Sequence, residues 1–342
     1  MTALPTQPLG RTGMQLSRVG LGAWAMGGLG WEHAWGPQDD ADSIATIVYA
    51  VERGVNWVDT APIYGHGHSE EVIGRALALL PDADRPFVFT KCGLRWNDAD
   101  PMEPPLRDTK LIRSELDHSL ARLGVERIDL YQIHCPPFDA RVQDFWPTML
   151  DLRAEGKVRA VGVSNFDIAQ LAEAEALGHV DSLQPPLSLL RPAAVEAEIP
   201  WCAANGTGVI VYSPLESGLL SGAFDARRVA MLPATDWRAS APEFNGAALR
   251  HNLALVDALR PIAARHGVGV SAVAIAWTLA QPGVTGAIVG ARNRTQIDGW
   301  LPAAGKALTD GDLAKVGAAI AARNAAVETD VGSRPAEQIG SA

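Results

Sequence analysis

Apolar and polar residues follow one repeated order along most of the chain. A short run of apolar, often β-branched residues leads into a polar or glycine-rich loop, which leads into a longer segment with apolar residues three and four positions apart. The short runs predict buried strands and the longer segments predict amphipathic helices. Strands are predicted at residues 19–21, 57–58, 87–90, 128–133, 158–163, 182–184, 209–212 and 286–289. Helices are predicted at residues 42–53, 69–79, 109–123, 142–154, 168–177, 195–204, 252–266 and 270–281.

This alternation predicts an α/β fold class. Eight strand–helix units in series fit a closed (β/α)8 barrel, the TIM barrel, better than an open doubly wound sheet. Turn motifs between residues 4 and 18 predict a β-hairpin ahead of the barrel. Long loops are expected after the third strand (92–108) and after the seventh (213–250). Both follow the carboxyl ends of strands, where barrel enzymes keep their active sites.

A single domain is expected to cover residues 1–327. Its last helix is predicted to begin after residue 309 and to end near residue 326. Residues 328–342 hold too few apolar side chains to pack, so we expect a flexible tail there. Ser69 is predicted to cap the second helix.

The composition narrows the possible partners. The 342 residues include 47% hydrophobic and 20% charged residues, which is typical of a globular chain. A formal net charge of -10 disfavours nucleic acid and anionic membranes, because both require a basic face. Three cysteines, Cys92, Cys135 and Cys202, are too few for a disulfide framework. With neither a leader peptide nor a long apolar run evident, we expect a cytoplasmic protein.

Four polar side chains are expected to meet at the carboxyl rim of the barrel. Asp59 follows the second predicted strand, Lys91 ends the third, and His134 ends the fourth. Tyr64 lies in the loop after Asp59. One such lysine or histidine is as often structural as functional, but four at successive strand ends indicate a catalytic site.

The charges of this group suggest its chemistry. An ammonium about 4 Å from a phenol stabilises the phenolate by roughly 4 kcal/mol at an effective dielectric constant of about 20. Lys91 is therefore expected to lower the pKa of Tyr64 toward the range of general acid catalysis, while Asp59 keeps Lys91 charged. His134 is expected to orient a substrate carbonyl. Protonation of a carbonyl oxygen calls for a nucleophile at its carbon, and a hydride from a nicotinamide is the economical candidate.

The same residues lie in motifs that resemble those of the aldo-keto reductase family. The stretch GVNWVDTAPIYGHGHSEEVIG at 54–74 is similar to the signature that carries the aspartate and tyrosine of the family. Thr90-Lys91 and Gln132-Ile133-His134 resemble its lysine and histidine motifs, and KVRAVGVSNF at 157–166 resembles its second signature. The resemblance implies NADPH-dependent reduction of an aldehyde or ketone with Tyr64 as the acid. The stretches GAWAMGG at 22–28 and TKCG at 90–93 suggest the bacterial reductases of small or sugar-like carbonyls within the family.

The resemblance also implies a cofactor site. In the family, a serine–asparagine pair and a glutamine bind the nicotinamide carboxamide, and they match Ser164, Asn165 and Gln184. The aromatic residue on which the nicotinamide stacks matches Tyr212. The loop that closes over the pyrophosphate matches Ser213, Leu215 and Gly218. A glycine-rich loop of this kind brings backbone N–H groups close to phosphate.

The adenosine end is predicted after the eighth strand. Gly290, Arg292 and Gln296 match the stretch whose arginine meets the ribose 2′-phosphate, so NADPH is expected to be preferred over NADH. Many relatives have Glu-Asn where this chain has Gly299-Trp300, which leaves open whether Trp300 stacks on adenine or packs inside. Asp298 would oppose a phosphate if its side chain pointed inward.

The substrate pocket is expected to be partly aromatic. The residues placed to line it are Trp24, Trp96, Cys135 and Phe138, with Trp31 and Trp35 as further candidates. Such a lining suits sugars, aryl aldehydes and steroids alike.

Two other functions compete with the reductase. A His-x-His pair on a barrel rim, here His66 and His68, is also found in metal-dependent hydrolases. No metal is expected, because the pair lies in the second loop and no further ligand closes the last strand. Some barrel relatives instead act as cofactor-sensing subunits, a role that does not require Tyr64, Lys91 and His134 together. A monomer is expected, as is common in the family.

Overall fold

The structure is a computed structural model that describes residues 4–97, 99–100, 106–137, 140–233 and 236–332. The strands in these ranges are β1 (Thr6–Pro8), β2 (Gln15–Ser17), β3 (Val19–Gly22), β4 (Trp57–Asp59), β5 (Phe87–Cys92), β6 (Leu94–Arg95), β7 (Leu106–Arg107), β8 (Ile128–Ile133), β9 (Val158–Ser164), β10 (Ser182–Gln184), β11 (Gly208–Val211) and β12 (Gly286–Gly290). The α-helices are α1 (Asp40–Glu52), α2 (His68–Leu77), α3 (Ile112–Leu123), α4 (Val142–Ala154), α5 (Ile168–Leu177), α6 (Glu198–Asn205), α7 (Ala226–Ala230), α8 (Gly246–His266), α9 (Val270–Leu279), α10 (Arg294–Trp300) and α11 (Asp310–Gly332).

Eight of the strands close into one parallel barrel. They follow the order β3, β4, β5, β8, β9, β10, β11 and β12, and β12 pairs again with β3. Each overlaps one of the eight predicted strands, so the (β/α)8 barrel is confirmed. Parallel strands are covered on both faces, which explains why they stand out as apolar runs in the sequence.

The predicted hairpin is formed by β1 and β2, which pair antiparallel just before β3 begins. Its Leu9, Met14 and Leu16 are fully buried against Trp57 and Phe89 inside the barrel. Burial of side chains of this size contributes about 1.5–3 kcal/mol each. The hairpin therefore closes the amino-terminal end of the barrel and leaves the carboxyl end for the site.

The predicted cap of the second helix is wrong. Helix α2 begins at His68, and Gly67, with a φ of 98°, takes the N-cap position. The hydroxyl of Ser69 instead donates to the main-chain carbonyl of Ala23 at 2.9 Å. A buried carbonyl in the loop after β3 thus takes the hydroxyl that the sequence pattern assigned to the helix terminus.

The last helix is longer than predicted. Helix α11 continues past residue 326 to Gly332. In this segment Asp330 lies 2.8 Å from His251 of α8, and about two turns earlier Arg323 donates to Asn252 at 3.0 Å. Polar contacts hold the end of this helix. A prediction based on apolar content therefore made the helix too short. The rest of the predicted tail, 333–342, lies outside the described residues.

Helices α8 and α9 follow each other closely in the chain, from Gly246 to His266 and from Val270 to Leu279. Helix α8 starts at Gly246, six residues before the predicted start at 252, and so shortens the loop after β11. No described helix is by itself long and apolar enough to cross a membrane. Helices α8 and α9 meet the length and composition criteria only as a pair, and the chain bends by 92° between them.

Candidate active site

Asp59 and Lys91 form a buried ion pair at the carboxyl rim. Asp59 ends β4 and Lys91 lies near the end of the neighbouring β5, and the two side chains are 4% and 1% exposed. Nζ of Lys91 donates to Oδ1 of Asp59 at 2.6 Å and to the carbonyl of Thr60 at 2.9 Å. Burial lowers the pKa of Lys91, but the Asp59 carboxylate and the Tyr64 hydroxyl together outweigh this effect, so the net pKa is raised and the ammonium stays charged.

Tyr64 reaches the same ammonium from the loop between β4 and α2. Its hydroxyl oxygen lies 3.4 Å from Nζ of Lys91, and its ring stacks on Trp24 with centroids 6.1 Å apart. Burial raises the pKa of Tyr64 above its ordinary value, and the charge of Lys91 offsets only part of the rise. The expectation that Lys91 brings this pKa toward neutrality is therefore wrong for the chain without ligands, because desolvation exceeds the Coulomb attraction.

His134 completes the group directly after β8. Its backbone N–H donates to the carbonyl of Cys92 at 2.9 Å, which keeps it in line with β5. Its ring meets that of Tyr64 edge to face, with centroids 5.8 Å apart. Burial, helped by the charge of Lys91, holds the pKa of His134 well below its usual value. The imidazole is neutral at pH 7 and can donate one hydrogen bond.

The predicted carboxamide-binding residues meet on the other side of the mouth. Asn165, just past β9, has a left-handed φ of 63°, and its Nδ2 donates to the carbonyl of His134 at 3.0 Å. Ser164 donates through Oγ to the main-chain carbonyl of Gln184 at 2.8 Å. The side chain of Gln184 donates through Nε2 to Oδ2 of Asp59 at 2.9 Å. One hydrogen-bonded layer therefore joins these residues to the ion pair.

Tyr212 and the loop after β11 border this layer. The hydroxyl of Tyr212 donates to Oδ1 of Asn165 at 2.8 Å. Left-handed backbone angles recur in the loop, at Ser213, Glu216, Ser217 and Gly218. The N–H of Gly218 donates to the carbonyl of Leu215 at 3.0 Å, which makes the turn tight. Three of these residues are not glycine, and a left-handed backbone is costly for them, so the surrounding fold must hold this loop in one conformation.

Glu216 anchors that loop, and the sequence analysis did not find it. Its buried carboxylate accepts from the hydroxyl of Ser188 at 2.6 Å and lies 2.9 Å from Nη2 of Arg191. Both partners lie after β10, far from Glu216 in sequence. In the sequence this position shows only a Glu-Ser-Gly stretch at 216–218, and that pattern alone is typical of an exposed turn.

Arg292 follows β12 as predicted, and the loop before α1 holds its side chain. Nε donates to Oε1 of Gln38 at 2.6 Å, Nη1 donates to the carbonyl of Trp35 at 3.1 Å, and Nη2 donates to the carbonyl of Pro37. Gln296 accepts the backbone N–H of Arg292 at 2.7 Å. Gly290 is exposed beside them, at the end of β12.

The two open questions about the adenosine end have structural answers. Trp300 is 2% exposed and belongs to the main hydrophobic core, so it packs inside. The Asp298 carboxylate is half-exposed and accepts from Tyr49 at 2.7 Å and from Arg53 at 2.8 Å. Arg53 thereby balances the negative charge of Asp298.

Some of the residues predicted to line the substrate pocket lie beside Tyr64 or Asn165, and others do not. Trp24 stacks on Tyr64, and Trp31 lies 6.1 Å from the same ring. Trp96 stacks instead on His66, with centroids 5.0 Å apart. Sγ of Cys135 lies 3.6 Å from Nδ2 of Asn165. Phe138 lies outside the described residues.

A further aromatic residue, not predicted from the sequence, packs against Trp24, which itself stacks on Tyr64. Trp237, from the loop after β11, stacks on Trp24 with centroids 6.2 Å apart and an interplanar angle of 6°. Next to it, Arg238 lies over the ring of Trp35 at 4.5 Å and pairs with Asp236 at 2.6 Å. The loops after β3 and β11 therefore meet across the mouth. A contact across more than 200 residues leaves no local pattern in the sequence.

The histidines of the competing metal site have separate partners. His66 stacks on Trp96, whereas Nε2 of His68 lies 2.8 Å from Asp40. Among the described residues, no group of three or more histidine, cysteine, aspartate or glutamate side chains is arranged to hold a metal ion.

Comparisons with known proteins identify the family of the chain. The sequence profile described as the Aldo/keto reductase family matches residues 18–321. The chain is 35% identical over 288 residues to the aldo-keto reductase YhdN of Bacillus subtilis, a match that covers 84% of this chain and 85% of that protein. It is 35% identical over 317 residues to the NADH-specific methylglyoxal reductase of Escherichia coli, with 89% and 95% covered.

A solved structure extends the likeness to three dimensions. The glycerol dehydrogenase of Gluconobacter oxydans superimposes with a TM-score of 0.84 at 36% identity, covering 94% of this chain and 97% of that one. The sequence match and the structural match both run across the whole barrel, and the resemblance noted in the sequence is confirmed. The chain belongs to the aldo/keto reductase family and is an NAD(P)H-dependent oxidoreductase.

Proposed function

We propose that the chain reduces an aldehyde or ketone to the alcohol with NADPH, with Tyr64 as the general acid. The observation that carries the proposal is the buried series Asp59, Lys91 and Tyr64, in which Nζ lies 2.6 Å from the carboxylate and 3.4 Å from the phenol oxygen. A phenol held beside an ammonium can give up its proton, because the charge stabilises the phenolate that is left. NADPH supplies the hydride when bound.

Each of the four residues has one part in the proton transfer. Neutral His134 donates a hydrogen bond to the substrate carbonyl oxygen and aims it at Tyr64. Tyr64 gives its proton to that oxygen as the carbonyl carbon is reduced. Lys91 stabilises the phenolate, and Asp59 holds Lys91 in place. The partly raised pKa of Tyr64 makes it a reluctant acid, so the proton leaves only as negative charge develops on the substrate.

The chemistry of the neighbouring side chains suits a nicotinamide. A carboxamide needs donors and acceptors together, which Ser164, Asn165 and Gln184 offer from one layer. Tyr212 is the ring on which the nicotinamide would stack. The tight turn of Ser213, Leu215 and Gly218 would hold the pyrophosphate through its backbone N–H groups.

The preference for NADPH rests on the residues after β12. Arg292 offers a planar guanidinium for a phosphate, with Gln296 and Gly290 beside it. Asp298, the acidic group nearest in sequence, is paired with Arg53 and so opposes a phosphate less. The E. coli relative is named as specific for NADH. Membership of the family therefore does not fix the cofactor, and the preference of this chain has to be measured.

The experiment that tests the function is Tyr64→Phe, which keeps the ring and removes the hydroxyl. Carbonyl reduction should fall by at least about a hundredfold while the cofactor still binds. Tyr131→Phe serves as the control, because it also removes a buried hydroxyl, one that donates to the carbonyl of Ile112 away from the site. Near-normal turnover of a small aldehyde by Tyr64→Phe would overturn the proposal.

The proposal extends to the setting of the enzyme. We place it in the cytoplasm as a monomer that takes a small-molecule substrate, with neither nucleic acid nor membrane as a partner. The three cysteines are free, as in a reducing compartment, and the net charge of -10 repels polyanions. Sedimentation velocity at two protein concentrations tests the monomer, which should sediment at both as a particle of 36.2 kDa.

A further inference from the structure

Gln184 and Asp59 lie on opposite sides of the barrel. Their strands, β10 and β4, are four places apart in the closed order of eight. Nε2 of Gln184 nevertheless donates to Oδ2 of Asp59 at 2.9 Å, while Oδ1 of Asp59 accepts from Lys91 at 2.6 Å. The carboxylate is therefore held between an ammonium on one side and an amide that spans the mouth on the other.

This contact is shielded from water. Gln184 is 2% exposed and Asp59 is 3% exposed, so a lost hydrogen bond cannot be replaced by solvent at no cost. The backbone of Gln184 is also fixed, because its carbonyl accepts from the hydroxyl of Ser164 and from the backbone N–H of Asn165. A primary amide has two N–H donors and one carbonyl acceptor. One N–H and the carbonyl of Gln184 remain for another ligand.

We propose that Gln184 is a positioning residue that links the nicotinamide site to the proton donor by holding the Asp59 carboxylate. The inference deepens the proposed function and rests on it. The same amide would meet the carboxamide of the cofactor and does meet Asp59. A bound cofactor that forms a hydrogen bond with this amide changes the hydrogen bond between Gln184 and Asp59. The electrostatic effect of Asp59 on Lys91 and Tyr64 then changes too, so cofactor binding and the acidity of Tyr64 are coupled.

The charges that face Tyr64 give the direction of the coupling. Lys91 lowers the pKa of Tyr64, whereas Asp59 and the thiol of Cys135 raise it. His134 faces the ring as a neutral imidazole, and the phenol of Tyr212 is close enough for the two tyrosines to interact. An N–H that points at Asp59 balances part of its negative charge. Loss of that N–H should therefore raise the pKa of Tyr64.

The first test is the pH dependence of kcat/KM for carbonyl reduction at saturating cofactor. Reduction needs protonated Tyr64, so activity falls above its apparent pKa. In Gln184→Leu this alkaline limb should move upward by about one pH unit. Gln184→Glu supplies a second readout: when protonated, its carboxyl donates an O–H to Asp59 and replaces the amide. That variant should be active in acid. Once the new carboxyl ionises, it repels the Asp59 carboxylate instead of holding it, so Asp59 and Lys91 are displaced from Tyr64 and kcat/KM should fall steeply.

Arg292→Ala is the control for cofactor binding. Its guanidinium bonds to Gln38, Trp35 and Pro37 and not to Gln184, Asp59 or Tyr64, so the change should raise the KM for NADPH without moving the alkaline limb. If Gln184→Leu also changes only that KM, Gln184 is a cofactor ligand alone and the proposal is overturned. If Gln184→Leu fails to fold, the pH profile of Gln184→Glu decides. A Tyr64→Phe enzyme that keeps wild-type activity would instead refute the proposed function itself.

Discussion

Gln38 and Arg292 hold each other in a reciprocal pair. Nε of Arg292 donates to Oε1 of Gln38 at 2.6 Å, and Nε2 of Gln38 donates to the main-chain carbonyl of Arg292 at 3.1 Å. Two more guanidinium N–H groups are given to the carbonyls of Trp35 and Pro37. A guanidinium has five N–H groups, so two remain for an anion. The loop before α1 thus fixes the plane of the arginine that we propose for the 2′-phosphate.

Arg292→Ala should separate the two cofactors. A charge-assisted hydrogen bond contributes roughly 1.5–3 kcal/mol, so NADPH binding should weaken about ten- to a hundredfold while NADH binding hardly changes. Quenching of tryptophan fluorescence by each cofactor measures both constants. Equal weakening would assign Arg292 to the shared part of the dinucleotide or to folding. Tighter binding of NADH by the wild-type chain would reject the NADPH preference.

Gln38→Ala tests whether the loop helps the arginine or competes with the phosphate. If the pair aligns Arg292 for its ligand, NADPH binding should weaken, though less than in Arg292→Ala, and NADH binding should stay unchanged. Tighter NADPH binding in Gln38→Ala would mean that Gln38 occupies the phosphate site. The same fluorescence titration distinguishes the two results.

Lys91→Met should abolish most of the reduction rate. The change removes the charge that stabilises the phenolate of Tyr64, and a loss of at least about a hundredfold is expected. It also leaves the Asp59 carboxylate buried without its ammonium, which should lower the free energy of unfolding by about 3–5 kcal/mol. Single-turnover rates and denaturant unfolding measure the two effects.

The double variant Asp59→Asn, Lys91→Met separates charge from stability. It removes both members of the ion pair, so unfolding free energy should recover toward the wild type. Activity should stay low, because Tyr64 still lacks the ammonium. Recovery of activity together with stability would show that Lys91 acts through the fold and not through the charge on Tyr64.

Most of the fold was predictable because it rests on local patterns. The barrel strands are short apolar runs, and the helix after each one repeats apolar residues at helical spacing. The predicted boundaries fail where distant contacts decide. Ser69 bonds to Ala23 instead of capping α2, and Asp330 extends α11 through His251. The helix propensity of one segment contains no information about Ala23 or His251, which lie far away in the sequence.

The candidate site also contains residues that local patterns predict and contacts that they do not. Asp59, Lys91, Tyr64 and His134 are predictable because strand ends of one barrel meet at one rim. The stack of Trp237 on Trp24 joins two long loops, and no spacing in the sequence encodes it. The sequence also did not predict that the pKa of Tyr64 is raised. The cost of burying a charged phenolate depends on all the side chains that pack around it, and these come from distant parts of the chain.

Removal of metal ions should leave the reductase unaffected. His66 and His68 have other partners, and the proton transfer that we propose uses no metal. Dialysis against a chelator should therefore leave the rate of NADPH-dependent reduction unchanged. An activity that is lost on dialysis and restored by zinc would favour the metal-dependent reaction instead.

Glu115 offers a test of pH-dependent stability outside the catalytic group. It lies on α3, and Oε2 accepts the backbone N–H of Gly93 at 2.8 Å. Its Oε1 is buried with no hydrogen-bond partner among the described residues. Burial raises the pKa of Glu115 from 4.5 to about 6, although Gly93 and Arg95 act against it. Burial in the folded chain therefore disfavours the ionised carboxylate relative to the neutral carboxyl group.

Glu115→Gln should stabilise the fold at neutral pH and not in acid. Because the folded-state pKa lies above that of an exposed glutamate, the folded chain binds more protons than the unfolded chain between pH 4.5 and about 6. Stability from this group falls as the pH rises through that window, by about 2 kcal/mol in total. Glutamine keeps the shape and the acceptor for Gly93 without a charge. In urea unfolding the variant should exceed the wild type by about 1–2 kcal/mol at pH 7.5 and match it near pH 4.5. Glu173→Gln makes the same chemical change at an exposed position and serves as the control for loss of one carboxylate. A Glu115→Gln gain that is equal at both pH values would mean that packing, and not ionisation, separates the variant from the wild type.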